Sequence, residues 1–206
     1  MLISQVIELA RGGEIKNLSD DSFDDATILG YVNLGLIELY KRFSLRTEEA
    51  IVTMRDSKVI YTLDDSDVDV DIDLTHELML ILEAYDESGA FLNINVENDE
   101  LGILTPSYDT IQVPNPAEGE KLGILYLAGP DWVTDINSKL KAPVSLLEAL
   151  LHYIGYRAHG SVDGNIDAEN NTHYKRFEAS VARAKTLGLV TADDIQDRDV
   201  RGKGFI

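Results

Sequence analysis

The chain has 206 residues, 37 of them acidic against 18 basic, for a formal net charge of −19, and it has no cysteine. The missing thiols exclude disulfides, thiolate zinc sites, iron–sulfur ligation and cysteine nucleophiles. The negative excess repels phosphate and excludes ordinary DNA binding.

A chain of this size builds one core, or one core with a small appendage. No apolar run is long enough to span a bilayer. The opening Met1-Leu2-Ile3-Ser4-Gln5 has neither the basic start nor the cleavage site of a signal peptide, so synthesis and folding in a cytoplasm are expected. The charge is uneven. Residues 59–120 hold 16 acids and no Lys or Arg, which leaves 21 acids and 18 bases for the rest. The plain reading is a solvated acidic face; the sharper one is a surface with an electrostatic task.

In chain order, the first helix spans about residues 2–11, with Ile3, Val6, Ile7 and Ala10 on one face and Gly12-Gly13 as its stop. A second helix follows over about 24–43, with Ser22 as N-cap and Asp24 and Asp25 at the positive end of its dipole. Its apolar residues run from Ile28 to Phe43 and exceed a single stripe, so it is expected either to be buried on several sides or to be shared between a core and an interface. Strands at 50–54 and 59–63 flank Arg55-Asp56-Ser57-Lys58, which reads as a hairpin turn. A short helix is expected over about 74–85, from the stripe Leu78, Ile81, Leu82 and Tyr85. Strands follow at 91–96, 110–113 and 122–127. Pro143, with Ser145 and Glu148 as a capping box, opens an apolar helix to about 159. The last helix covers about 167–187 on the stripe Tyr174, Phe177, Val181 and Ala184, with Gly188 as its stop.

These elements predict an α+β fold: mainly an α-helical bundle of N- and C-terminal helices, with a small antiparallel β insertion and a flexible C-terminal tail. The expected division is one domain over 1–190, with helices at about 2–45 and 143–188 and the β insertion at about 49–135. Residues 191–206 form the extended tail.

Motifs for chemistry are weak. Neither Gly12-Gly13 nor the glycines at 160–164 has phosphate-loop spacing, and there is no nucleophile elbow or His-Glu-x-x-His pair. His152 and His159 lie seven apart on one helix face, too far for a metal pair and better suited to a partly exposed or subunit-facing role. The Asp-rich run 64–73 fails as a calcium loop, which needs Gly at its sixth position and Glu at its twelfth. Counted from Asp65 these are Val70 and His76; counted from Asp67 they are Ile72 and Leu78. The run reads instead as an extended segment with Val68, Val70 and Ile72 on one side. Asp65, Asp67, Asp69 and Asp71 then form an acidic surface on the other. Trp132, the single tryptophan, is expected as a core plug rather than a contact hot spot, the alternative reading for a tryptophan in a turn. No catalytic residue, metal or cofactor is expected, and the chain reads as a non-enzyme.

The second helix contains Tyr31-Val32-Asn33-Leu34-Gly35-Leu36-Ile37-Glu38-Leu39. This resembles the "(W/Y)-x-N-x-(A/G)-x-x-E-(L/I)" pattern of phage head-to-tail adaptors, the group that includes the tail tubular protein A of short-tailed phages. Asn33 and Glu38 hold the Asn and Glu positions. Gly129-Pro130 after a strand, and Pro143, Leu146, Ala149, Leu150 and Tyr153 opening the next helix, also look similar. The resemblance covers most of the chain as order and spacing.

It implies a structural virion protein in the neck between head and tail. Its copies would form a homo-oligomeric ring, of about twelve in the family, beneath the portal protein. The ring would join a tail or nozzle protein and extend a channel through which DNA passes without specific binding or any membrane. Under this reading Tyr31, Leu34 and Tyr40 are candidates for the subunit interface, and Arg198, Arg201, Lys203, Phe205 and Ile206 for a tail that docks on the portal and orders there. The acid-only stretch would suit a channel wall or the tail-facing rim, although several adaptors put bases toward the channel and this stretch has none. The alternative is an acidic DNA mimic that blocks a nucleic-acid-binding partner. A metal-dependent hydrolase is disfavoured, because one linear acidic strand does not enclose an ion.

Overall fold

The computed structural model describes residues 1–18, 23–73, 75–96, 102–163 and 172–190. These residues form four helices and eight strands in two antiparallel sheets, about 36% helix and 27% strand. The expected bundle with a small β insertion is thereby corrected: sheet is a major component. The chain divides into two compact units. Among the described residues, the helical unit is Met1–Leu45 with 130–190, and the β unit is Arg46–Gly129.

In the helical unit, α1 (Ile3–Gly12) and α2 (Asp25–Phe43) are followed by a 3-10 turn (Val144–Leu146), α3 (Leu147–Asp163) and α4 (Thr172–Thr186). The Ile3 and Ser4 amides that open α1 donate to Ser138 O and Ile136 O at 3.0 and 2.7 Å, so its start is capped by a later loop. At α2 the cap is Asp24, whose carboxylate accepts from Thr27 N at 2.8 Å; Ser22 lies outside the described residues. Ser44, at φ 49°, ends α2 in the left-handed region. Ser145 does not cap α3: its hydroxyl donates to Leu189 O at 3.1 Å, beside the left-handed Gly188 that ends α4. Helix α3 packs on α1, α2 and α4. Its Leu150, Ile154 and Ala158 are fully buried. Tyr153 meets Phe177 of α4 edge-on at 5.3 Å.

The β unit contains β1 (Thr47–Thr53), β2 (Ile60–Thr62), β3 (Val70–Ile72), β4 (Leu78–Asp86), β5 (Phe91–Leu92), β6 (Leu104–Ser107), β7 (Thr110–Gln112) and β8 (Lys121–Ala128). The larger sheet runs β3-β1-β8-β4-β5 and the smaller β2-β7-β6. Their shared core holds Ala50, Val52, Leu122, Ile124 and Tyr126 of the larger sheet with Tyr61 and Ile111 of the smaller.

Two expectations fail here. The turn at 55–58 does form, with Lys58 N on Arg55 O at 3.0 Å, but β1 and β2 part into different sheets. The expected helix over 74–85 is the strand β4. Its pairing with β8 slips between Leu78 and Leu80 and again between Ile81 and Glu83. Each bulge inserts a residue, so the partners of the core-facing Ala128, Tyr126 and Ile124 are Leu78, Ile81 and Ala84. A spacing of three results, which imitates a helical stripe.

Candidate functional site

Three arrangements bring chemistry-bearing side chains together. The first is the joint around α2. Asn33, 3% exposed, donates Nδ2 to Val133 O and accepts Val133 N on Oδ1, both at 2.9 Å. One amide side chain thus satisfies both backbone groups of the segment that returns from the β unit. Gly35 allows α3 its approach, since a Cβ there would stand 2.5 Å from Leu150 Cδ1. Glu38 lies 3.6 Å from Arg42 Nε, and Arg42 Nη2 reaches Glu178 of α4 at 2.7 Å. The Arg42 guanidinium also stacks 5.0 Å over Phe177. Leu146, Ala149, Leu150 and Tyr153 are all buried. The residues that carry the adaptor resemblance are therefore packing and clamping residues of one joint.

The second lies at the end of α1. Glu14 Oε2 accepts from His173 Nδ1 at 2.7 Å, and Glu14 Oε1 lies 3.4 Å from His152 Nδ1. His159 Nε2 donates to Glu14 O at 2.9 Å. The His159 and His173 rings stack at 4.4 Å with 12° between planes. Gly155 makes this possible, because a Cβ there would stand 2.6 Å from His173 Nδ1. Burial first, and His159 second, push His173 below the ordinary histidine value against the pull of Glu14. The sequence placed His152 and His159 on one face; Glu14 and His173 were missed, because nothing local links them to that face. Among the described residues no cluster of histidine and carboxylate side chains is arranged to hold a metal ion.

The third is the Asp-rich run of the β unit. Lys58 Nζ bridges the Asp67 and Asp69 carboxylates, at 3.0 Å to Asp69 Oδ2, and sits 4.9 Å over the Tyr61 ring. Arg55 Nε adds a 2.6 Å bond to Asp69 Oδ1. Asp67 also accepts Thr62 N and Asp69 N, each at 3.1 Å. Burial raises the Asp67 carboxyl, but Lys58 and the two amides outweigh it and hold it low. For Asp69 the Lys58 bond is the largest influence and also lowers it. The loop thus carries its own cation, an ammonium from the preceding turn.

The expected acidic surface is corrected accordingly. Asp67 and Asp69 turn inward, Asp65 and Asp71 stay exposed, and Val68 points out at 89% exposure. The alternation breaks because two bases at 55 and 58 draw the intervening carboxylates in. A related half-buried contact joins Glu48 to His76 Nδ1 at 2.6 Å and to the Tyr126 hydroxyl at 3.0 Å. Burial and then the Glu48 charge keep that phenol protonated far above its usual range.

The remaining expected positions are mixed. Tyr40 is a core residue, 2% exposed, with its hydroxyl donating to Lys141 O at 2.7 Å, so it is not available to a subunit interface. Tyr31 and Leu34 remain half-buried on α2. Trp132 is no core plug: it is 63% exposed, next to the clamped Val133. The tail residues Arg198, Arg201, Lys203, Phe205 and Ile206 lie outside the described residues. The chain matches no protein-family model and no curated protein sequence.

Proposed function

We propose that the protein is a head-to-tail adaptor of a tailed-phage particle, a ring-forming structural component that docks on the portal and carries DNA onward to the tail. The observation that supports this best is the α2 joint. The Asn, Gly and Glu of the adaptor-like pattern, and the apolar positions of the α3 pattern, have one common task there. Asn33 clamps Val133, Gly35 admits α3, and Glu38 holds the arginine that reaches α4. On α2, Tyr31, Leu34 and Ile37 stay half-covered, leaving an apolar strip for a neighbouring copy.

The test is native mass spectrometry of the protein mixed with the portal protein of the same genome, with and without residues 198–206. The expected result is a fixed, symmetric number of copies on the portal ring, lost on truncation. Absence of binding at every ratio and at low salt would overturn the reading. Capture of a basic nucleic-acid-binding protein in its place would favour the DNA mimic.

A further inference from the structure

We propose that Glu14, His152, His159 and His173 form an acid-released latch, which holds the start of α4 to the turn after α1 at neutral pH and frees it when the His173 ring gains a second proton. The inference does not depend on the adaptor reading.

Three of the chain's four histidines converge on one acidic residue. The acceptors fix the neutral tautomers. His159 must carry its proton on Nε2 to reach the Glu14 carbonyl at 2.9 Å, and His173 must carry its own on Nδ1 to reach the carboxylate at 2.7 Å. Both bonds are complete with neutral rings. A further proton on His173 places a charge against the His159 ring stacked on it at 4.4 Å. Glu14 matches one imidazolium, not two.

The neighbouring charges sharpen the imbalance. From α3, Glu148 approaches His152 Nε2 at 3.8 Å and is largely exposed, so its help is screened and goes to His152 alone. From α4, Arg176 adds repulsion at His173. His173 is also the second residue of α4, where the positive end of the helix dipole opposes a cation. On α1, Arg11 is bound to Asp25 at 2.7 Å.

The sign follows. Burial leads in depressing His173 in the folded chain, so the unfolded chain binds more protons. The stabilisation is complete above the ordinary histidine value of 6.5 and is lost as pH falls through the folded value. The Gly155 notch sets the geometry: the latch closes where α3 has no side chain.

The test follows the histidine ring resonances and amide exchange of the intact wild-type protein from about pH 8 to about pH 5. The expected result is a His173 midpoint below 6.5. Exchange in the first turn of α4 and in the turn after α1, corrected for intrinsic rate, should rise about tenfold or more while α2 stays protected. In H173Q, which keeps a donor but cannot titrate, that rise should largely vanish. A His173 midpoint at or above 6.5, or protection that does not change with pH, overturns the latch. So does an undiminished acid response in H173Q. The wild-type titration decides the matter if the variant does not fold.

Discussion

At Asn33 a single amide does the work of a strand pair. Both bonds to Val133 are buried, so truncation leaves an N–H and a C=O without partners. N33A should therefore cost about 3 kcal/mol in urea unfolding. N33D should do at least as much damage, because a carboxylate cannot donate to Val133 O and brings a charge into an enclosed site. An unchanged midpoint for N33A would show that the clamp is incidental.

Lys58 is the second residue with a definite consequence. Asp67 and Asp69 are both held below the ordinary carboxylate value of 3.8, so their contribution to stability is present above that value and is lost as pH falls below it. K58M keeps the aliphatic stem over Tyr61 but removes the charge. Amide exchange at Thr62 and Asp69, whose N–H groups rest on Asp67, should then accelerate about tenfold at neutral pH. The acid-induced loosening of the loop should shrink at the same time. Unaltered exchange in K58M would mean that the backbone alone shapes the loop.

At the scale of elements, the two bulges of β4 offer the sharpest test. The register places Tyr85 opposite Gly123, and a Cβ at that glycine would clash with the edge of the Tyr85 ring. G123A alone should destabilise the protein by about 2 kcal/mol through overpacking, and Y85A should cost a similar amount through lost burial. The double variant should cost clearly less than their sum, because the alanine fills space that the ring has left. Additive costs would mean that the ring and the glycine do not share this space.

The same strand explains what the sequence did not disclose. Helices α1, α2, α3 and α4 were legible from apolar spacing, glycine stops and acidic starts, all of which are local signals. Strand β8, with its unbroken apolar run, was legible as well. Strand β4 was not, because its bulges convert a period of two into core positions at 78, 81 and 84, and only the pairing with β8 distinguishes that from a helix. The divergence of β1 and β2 was hidden for a related reason: the turn between them forms, while the partners of each strand lie far along the chain. The histidine cluster was half legible. Helical spacing brings His152 near His159, but Glu14 lies 159 positions from His173 and no periodicity connects them.

For the whole molecule the governing quantity is charge. By count, Arg46–Gly129 carries 19 acids against 4 bases, while the remainder carries 18 against 14. Two of those four bases, Arg55 and Lys58, are already engaged with Asp67 and Asp69, so most of the acidic excess of the β unit has no internal counter-charge. Such a unit repels itself, and the repulsion acts over longer distances than the engaged pairs do. Raising salt from about 10 mM to about 150 mM shortens the screening length from about 30 Å to about 8 Å. That removes more repulsion between distant acids than attraction within the Lys58 nest, whose carboxylates are largely shielded from solvent. Thermal unfolding should therefore shift upward by about 3 °C, corresponding to about 1 kcal/mol. A downward shift would reverse the balance and make the ion pairs the dominant electrostatic contribution. An upward shift also bears on partners: any basic surface that meets the β unit would relieve the same repulsion, and its binding should weaken as salt takes over that role.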